Sequence, residues 1–435
     1  MAHETASKPA LLGGKPVRED PLPAVPMIGE AEKQALLEVL ESRAFSASHS
    51  NVPGSIRAQQ FEEEFAARCG TRHAISVNSG TAALHVALAA AGIGPGDEVL
   101  VPSYTFTATA SAVLMHNAIP VFVDVDPRTF CMDAARAGEA VSPATKAMVP
   151  VHLLGNVADM DSLLDIAKSH NLVVIEDTAQ APGAALRGQV AGTIGDIGAF
   201  SFQETKNMMT GEGGMIVTSR DDLAERCRLI HNHGEVWLQG KPRSYIANIL
   251  GWNYRMPELE AAIGRVQLRH LDQWNDVRRE NAAYLSEHLA ESPLAPPYVA
   301  DGVRHAFHLY GMLYDEEKAG VPRSIILRAL DAEGLPFTSG YPHPLYKNPM
   351  FQERLVYGPE GCPFTCLHYH GRELDYRQVY HPVAEGLCSH QAIWTNMIRP
   401  PFGTQDMKQV VQAVEKVFDH LSELKRYAVT EDSRT

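Results

Sequence analysis

A lysine, an acid and a small polar turn stand at three points where short apolar runs of this chain give way to loops. Lys206 follows the run 197–202, and glycines at 211, 213 and 214 lie just beyond it, in SFQETKNMMTGEGG. Asp177 closes a second run, 172–175, directly after Glu176. Asn78-Ser79-Gly80-Thr81 sits between a third run and an alanine-rich segment that reads as a helix. A lysine desolvated in a cleft has a lowered pKa and can form imines. A buried carboxylate needs a partner, and a protonated ring nitrogen opposite it would hold its pKa down. A glycine ahead of a helix lets backbone approach a phosphate, which the free N–H groups and dipole of the helix start attract. Thr81 can serve there as N-cap or donate its hydroxyl. Taken singly, each group has an ordinary reading as a surface lysine, a hydrogen-bonded strand-end acid or a helix cap. Together they meet the needs of one cofactor, pyridoxal 5'-phosphate. The G-x-G-x-x-G and G-x-x-x-x-G-K-[ST] nucleotide fingerprints are absent from these turns.

The elements that must position these groups alternate in type. Short apolar runs at 74–77, 98–101, 120–125, 147–152, 172–176, 197–202 and 214–218 predict seven strands. Helix-like segments at 81–91, 108–116 and 160–170 separate several of them. Apolar strands between helices imply an α/β sheet covered on both faces. Ligands of such sheets sit beyond the carboxyl ends of the strands, where the lysine, the acid and the turn all lie. Upstream, 1–27 reads as an extended Pro/Gly-rich arm, 28–42 and 56–69 as helices, and 45–55 as a mobile loop. Residues 255–289 read as one long amphipathic helix, with Leu259, Ala262, Ile263, Val266, Leu268 and Leu271 on its inner side.

That helix bridges into a smaller second domain, which gives an arm at 1–27, a large domain at 28–255 and a C-terminal part at 256–435. The C-terminal part mixes a strand at 308–314 with helices at 322–333 and 406–424. The stretch 336–382 is rich in aromatics and histidines and too long for a plain connection. Tyr341, His343 and Tyr346 within it could hydrogen-bond a hydroxyl-rich substrate or simply pack the small domain. Arg255 could bind a carboxylate or phosphate, or pair across a dimer.

The net charge of -14, from 38 Lys+Arg against 52 Asp+Glu, argues against a general nucleic-acid or anionic-membrane binder. With 45% hydrophobic and 21% charged residues the composition is that of an ordinary soluble protein. No run is long enough to span a bilayer, and the N-terminus has no long apolar segment. The six cysteines are scattered, which suggests reduced thiols in a cytoplasmic protein. Cys362 and Cys366 form a lone C-x3-C near His368, His370 and His381, an incomplete zinc pattern, and no metal is expected.

Several ordered motifs resemble the DegT/DnrJ/EryC1/StrS family of pyridoxal-phosphate-dependent sugar and cyclitol aminotransferases. They are VNSGTAALH (77–85), VPSYTFTATA (101–110), VIEDTAQAPGA (174–184), GAFSFQETKNMMTGEGG (198–214) and LGWNYRMPELEAAIGRVQL (250–268). With the opening helix they span roughly residues 10 to 290. YPHPLYKNPMF and HPVAEGLC, further on, look similar to the branch acting on aminocyclitols.

The resemblance implies fold type I, with a seven-stranded, mostly parallel sheet in the large domain and a small C-terminal α+β domain. It implies that Lys206 forms the Schiff base, Asp177 pairs with the ring nitrogen, Phe106 stacks on the ring and Gln180 lies beside its phenolic oxygen. Gly80, Thr81 and Ser201 would hold the phosphate. Asn253 would reach the phosphate of the other subunit's cofactor, so that a homodimer completes the site. The implied reaction moves an amino group from L-glutamate or L-glutamine to a keto-sugar or keto-cyclitol. Some members carry histidine at the lysine position and act as dehydratases; Lys206 favours transamination over dehydration or aromatisation of a ring. Glu204 places an extra acid beside the lysine where relatives often have a histidine segment.

Overall fold

The computed structural model describes residues 8–46, 56–236, 245–358 and 361–432. The remainder of the expected loop at 45–55, from residue 47, lies outside them. All seven expected strands form, as β1 (His73–Val77), β2 (Glu98–Pro102), β3 (Ile119–Val123), β4 (Thr145–Met148), β5 (Val173–Asp177), β6 (Ile197–Ser201) and β7 (Gly214–Thr218). They make one sheet in the order β1-β7-β6-β5-β4-β2-β3. β7 runs antiparallel to both its neighbours and the other pairings are parallel. The run 147–152 leaves the sheet early: β4 ends at Met148, and Val151 makes only a single bridge to Asp177.

Helices α1 (Glu30–Ser42) and α2 (Arg57–Cys69) precede the sheet. The helices α3 (Gly80–Ala90), α4 (Ala108–Leu114), α5 (Ala134–Ala140), α6 (Met160–His170) and α7 (Asp221–Ile230) alternate with its strands. α3 is the most enclosed, with Ala82 to Leu88 all buried. Its alanine-rich sequence suits that place, because small side chains let a helix approach the sheet closely while keeping high helix propensity. On the outer side, Phe65 of α2 packs edge-on against Phe200 and Phe202 around β6, and Phe61 packs tilted against Phe202. Lys206 therefore follows a strand clamped on both faces.

The long helix α8 (Glu258–His288) leads to a four-stranded antiparallel sheet. Its strands are β8 (Leu294–Ala295), β9 (Tyr310–Tyr314), β10 (Phe337–Thr338) and β11 (Ala392–Thr395), in the order β8-β9-β11-β10. Helices Arg323–Ala332 and Thr404–Phe418 cover this sheet. The expected helix at 406–424 is two, broken at Asp419 before Leu421–Asp432.

One expected assignment changes. The aromatic stretch does not stay with the small sheet; it crosses to the large one. Tyr346, Phe351 and Tyr376 ring Phe122 of β3. The Tyr376 hydroxyl donates to the Pro120 carbonyl at 2.6 Å, and Leu345 N–H donates to the Ser103 carbonyl at 2.8 Å. The physical cause is the free edge of β3, whose apolar face needs cover. The chain then returns to the small sheet at β11.

The N-terminal arm packs on the small body. Glu333 is fully buried and accepts hydrogen bonds from Ala10 and Val17 N–H and from Lys416. Among the described residues no helix is long and apolar enough to cross a membrane, and no group of three His, Cys, Asp or Glu could hold a metal ion.

Candidate active site

The two acids that close β5 point to different tasks. Glu176 is saturated: it accepts from Gly192, Ile194 and Gly195 N–H and contacts His152 Nε2 at 2.8 Å. It fixes the 192–195 turn. Asp177, buried, faces the other way. Its Oδ2 accepts from the Thr109 hydroxyl at 2.8 Å, and its Oδ1 accepts from Ala179 N–H at 3.2 Å. Burial raises the Asp177 pKa; Thr109, Ala179, Lys206 and His152 oppose that rise.

Lys206 lies in the turn after β6, its N–H donating to the Gln203 carbonyl at 2.8 Å. Desolvation lowers its pKa, and the charge of Asp177 acts in the opposite sense. The lysine is thus poised to lose its proton while an acid remains near. Asn207, the next residue, is buried and locks the turn. Its Nδ2 donates to Asn275 Oδ1 at 2.8 Å and to the Ala306 carbonyl at 2.9 Å, and its Oδ1 contacts His308 Nδ1 at 3.2 Å.

The polar turn after β1 meets the end of β6. A Cβ added to Gly80 would stand 2.7 Å from Ser201 Cβ, so only glycine permits this approach. The helix cap differs from expectation: Ser79, not Thr81, is the N-cap of α3, accepting from Ala82 N–H at 3.1 Å. Gly80 and Thr81 fall in the first turn, where backbone N–H groups have no intrahelical acceptor. Thr81 is thereby released from capping.

Other expected residues divide into four groups. Gln180 and Tyr341 come together: Gln180 Nε2 donates to the Tyr341 hydroxyl at 3.2 Å, while its Oε1 accepts from Leu154 N–H at 2.8 Å. Tyr341 also packs edge-on against Tyr104 and Trp394. Asn253 and Arg255 run beside the phosphate turn, since Asn78 N–H donates to the Tyr254 carbonyl and Arg255 bridges Val77. Arg255 Nη1 donates to Asn232 Oδ1 at 2.7 Å, and Asn253 is exposed. Phe106, at the entry to α4, is 59% exposed, unusual for a phenylalanine amid a buried segment.

The remaining pair lies elsewhere. Tyr346 is wholly buried, its hydroxyl donating to Glu385 Oε1 at 2.7 Å and accepting from His381 N–H at 3.1 Å. It packs the cover of β3 and is not a substrate ligand. His343 contacts Asn348 Oδ1 at 3.1 Å within its own turn. Sequence reasoning passed over Thr109, Asn207, His308, Arg278 and Arg399, all close to Asp177 or Lys206. Thr109 and Asn207 lay inside quoted motifs; the others carried no local signal.

A desolvated lysine, a buried carboxylate and a helix start pressed against a serine, all at the carboxyl edge of a doubly covered sheet, fit pyridoxal phosphate and define an enzyme of fold type I. The sequence pattern of the DegT/DnrJ/EryC1/StrS aminotransferase family matches residues 26–414. L-glutamine:2-deoxy-scyllo-inosose aminotransferase of Streptoalloteichus tenebrarius is 36% identical over 431 residues, covering 96% of this chain and 99% of that protein. GDP-perosamine synthase of Caulobacter vibrioides is 41% identical over 330 residues, covering 75% of this chain and 86% of that one. The crystal structure of S. venezuelae DesV in complex with a ketimine intermediate is similar at TM-score 0.74 and 34% identity, covering 89% of this chain and 94% of that chain. The chain belongs to the DegT/DnrJ/EryC1/StrS aminotransferase family and is a pyridoxal-phosphate-dependent aminotransferase.

Proposed function

We propose that the enzyme transfers an amino group from L-glutamine or L-glutamate to a keto-cyclitol or keto-sugar, with a keto-cyclitol as the first choice. The observation that carries the transfer is Lys206 in the turn after β6, beside the buried Asp177 that ends the neighbouring strand β5. The choice of acceptor rests on similarity to a cyclitol aminotransferase over nearly the whole chain, including the 336–382 stretch. The match to the GDP-perosamine enzyme is shorter.

Bound pyridoxal phosphate supplies an electron sink for the charge that develops at the substrate carbon. Asp177, backed by Thr109, would hold the ring nitrogen and keep negative charge beside it. Gly80 and Thr81 N–H groups and the Ser201 hydroxyl would hold the phosphate. Phe106 would cover the ring, and Gln180, fixed by Leu154 and Tyr341, would serve the phenolic oxygen. Lys206 would hold the cofactor, and its Nζ would take a proton from the donor carbon and return one to the acceptor carbon. Its lowered pKa suits both duties. Asn253, exposed beside the phosphate turn, serves the cofactor of a second copy, which makes the working unit a homodimer. Six free cysteines support a reducing, cytoplasmic setting.

The test is an absorbance spectrum of the protein reconstituted with cofactor, repeated after L-glutamine, L-glutamate and then a keto-cyclitol. A visible band that a donor bleaches and the acceptor restores, with stoichiometric 2-oxo acid and no band in Lys206→Ala, is expected. A band that neither donor alters would overturn the transfer.

A further inference from the structure

Asn275, on the long helix α8, is 1% exposed, and both ends of its amide are engaged. Its Oδ1 accepts from Asn207 Nδ2 at 2.8 Å, and its Nδ2 donates to the Pro182 carbonyl at 2.9 Å. The amide has one orientation: turned over, it would set Oδ1 against the Pro182 carbonyl, two acceptors face to face. Asn207 directly follows Lys206, and Pro182 stands two residues after Gln180. One buried side chain therefore spans the turn after β6 and the segment after β5. Gly183 shows how close the fit is. Its φ is +84°, and a Cβ there would lie 2.6 Å from Asn275 Nδ2, so glycine lets this segment reach the amide.

The same two segments are tied a second way, through the small body. Asn207 Nδ2 also donates to the Ala306 carbonyl at 2.9 Å. Ala306 N–H donates to the Gly155 carbonyl at 2.8 Å, and Leu154 N–H, one residue earlier, donates to Gln180 Oε1 at 2.8 Å. Leu154 is left-handed, with φ 56° and ψ 8°, a conformation unfavourable for leucine that its surroundings must hold. These bonds close a ring that starts and ends at Asn275, with Lys206 and Gln180 carried on different sides of it. In such a buried network a break in one bond is felt in the others. We propose that Asn275 is a positioning residue: its amide sets the separation between the Lys206 turn and the Gln180 segment, and with it how the lysine meets the cofactor ring. Its bonds go to Asn207 and Pro182, and it acts through them. The proposal rests on Lys206 and Gln180 serving the cofactor. A misplacement on the order of 1 Å is costly there, because proton transfer at Nζ needs short, aligned contacts.

The test compares cofactor-loaded wild type with Asn275→Leu, which keeps the volume and loses both bonds, and with Gly183→Ala, which crowds the amide from the Pro182 side. Three quantities are read. They are the melting temperature, the visible circular dichroism per unit absorbance, which reports how the ring sits, and the rate at which L-glutamine or L-glutamate bleaches the visible band. Tyr346→Phe serves as a variant altered in the buried cover of β3. We expect Asn275→Leu to change the dichroism and to slow bleaching about tenfold at saturating donor, with the half-saturating concentration changed less than about twofold. Gly183→Ala should act in the same direction to a smaller degree, and Tyr346→Phe should lower the melting temperature alone. Asn207→Ala slows bleaching as well, and combining it with Asn275→Leu costs less than about twofold more, because the ring is already open. Unchanged bleaching and dichroism in Asn275→Leu, the same changes in Tyr346→Phe, or losses that multiply in the double variant would overturn the proposal. If Asn275→Leu does not fold, unaltered bleaching in both Gly183→Ala and Asn207→Ala overturns it. Altered dichroism and slow bleaching, with no transfer to any keto-cyclitol or keto-sugar, would uphold it and sink the acceptor reading instead.

Discussion

Thr109 donates its hydroxyl to Asp177 Oδ2 at 2.8 Å, so the first turn of α4 stabilises the ionised form of an acid at the end of β5. Without that donor the buried carboxylate moves further toward its neutral form, because burial already raises its pKa. Thr109→Val should weaken pyridoxal phosphate binding by about tenfold, and Thr109→Ser should retain it. Fluorescence titration of the cofactor-free protein measures both. Equal binding in all three proteins would show that Asp177 does not depend on this bond.

Gly80 and Ser201 make the closest approach in the phosphate turn. A methyl group at position 80 forces α3 away from β6 or displaces the serine. Gly80→Ala is expected to cost about 1–3 kcal/mol of stability, as overpacking does. Cofactor retention on gel filtration should fall more than the melting temperature alone explains, since the N–H groups of the turn move with the backbone.

Two tyrosines of the aromatic stretch should separate cleanly. Tyr346→Phe leaves Glu385 Oε1 and His381 N–H short of a partner in a buried site and should lower stability by about 1–3 kcal/mol. KM for donor and acceptor should not change. Tyr341→Phe instead removes the partner of Gln180 Nε2 while Leu154 N–H still holds its Oε1, and kcat should fall with little change in melting temperature. Steady-state kinetics beside thermal denaturation distinguishes the two patterns.

Acid should weaken the fold through its buried imidazoles. His85 is 2% exposed, and burial, aided by His116, holds its pKa down to about 3. His231 is held to about 4 and His305 to about 3, again chiefly by burial. Unfolded, each binds a proton near pH 6.5, so between that value and the folded pKa the unfolded chain carries more protons. Stability must then fall as pH drops from 7 toward 4. His85→Gln should shrink that fall by about 1–2 kcal/mol between pH 7 and 5, read from urea midpoints. An unchanged pH slope would count against a neutral His85.

The strands were legible because a sheet covered on both faces demands near-continuous apolar runs, and each such run stands out. Lys206, Asp177 and the Gly80 turn were legible for a related reason: they interrupt those runs at the edge where ligands sit. Arg278, Asn275 and Gln267 were not. They lie on the inner side of α8, where the pattern promised only apolar side chains, and their partners are carbonyls and side chains far away in the chain. The cap of α3 was misplaced by two residues since Ser79 and Thr81 are both good caps, and only the backbone conformation of Ser79 separates them. Tyr346 was ambiguous because a tyrosine that packs and one that binds look alike in sequence until the free edge of β3 is known to need a cover.

The chain passes between the two bodies after the N-terminal arm, at α8, again near residue 345 and once more on its way to β11, while Trp394 of that strand packs with Tyr104 of the large body. A hinge between the bodies would have to bend all four crossings together and open a buried aromatic contact. The two bodies are therefore stapled into one piece. Discrimination among substrates falls to a cleft whose shape exists before anything enters, and exchange of variants among relatives should carry over best when β3 and its cover are exchanged as a unit.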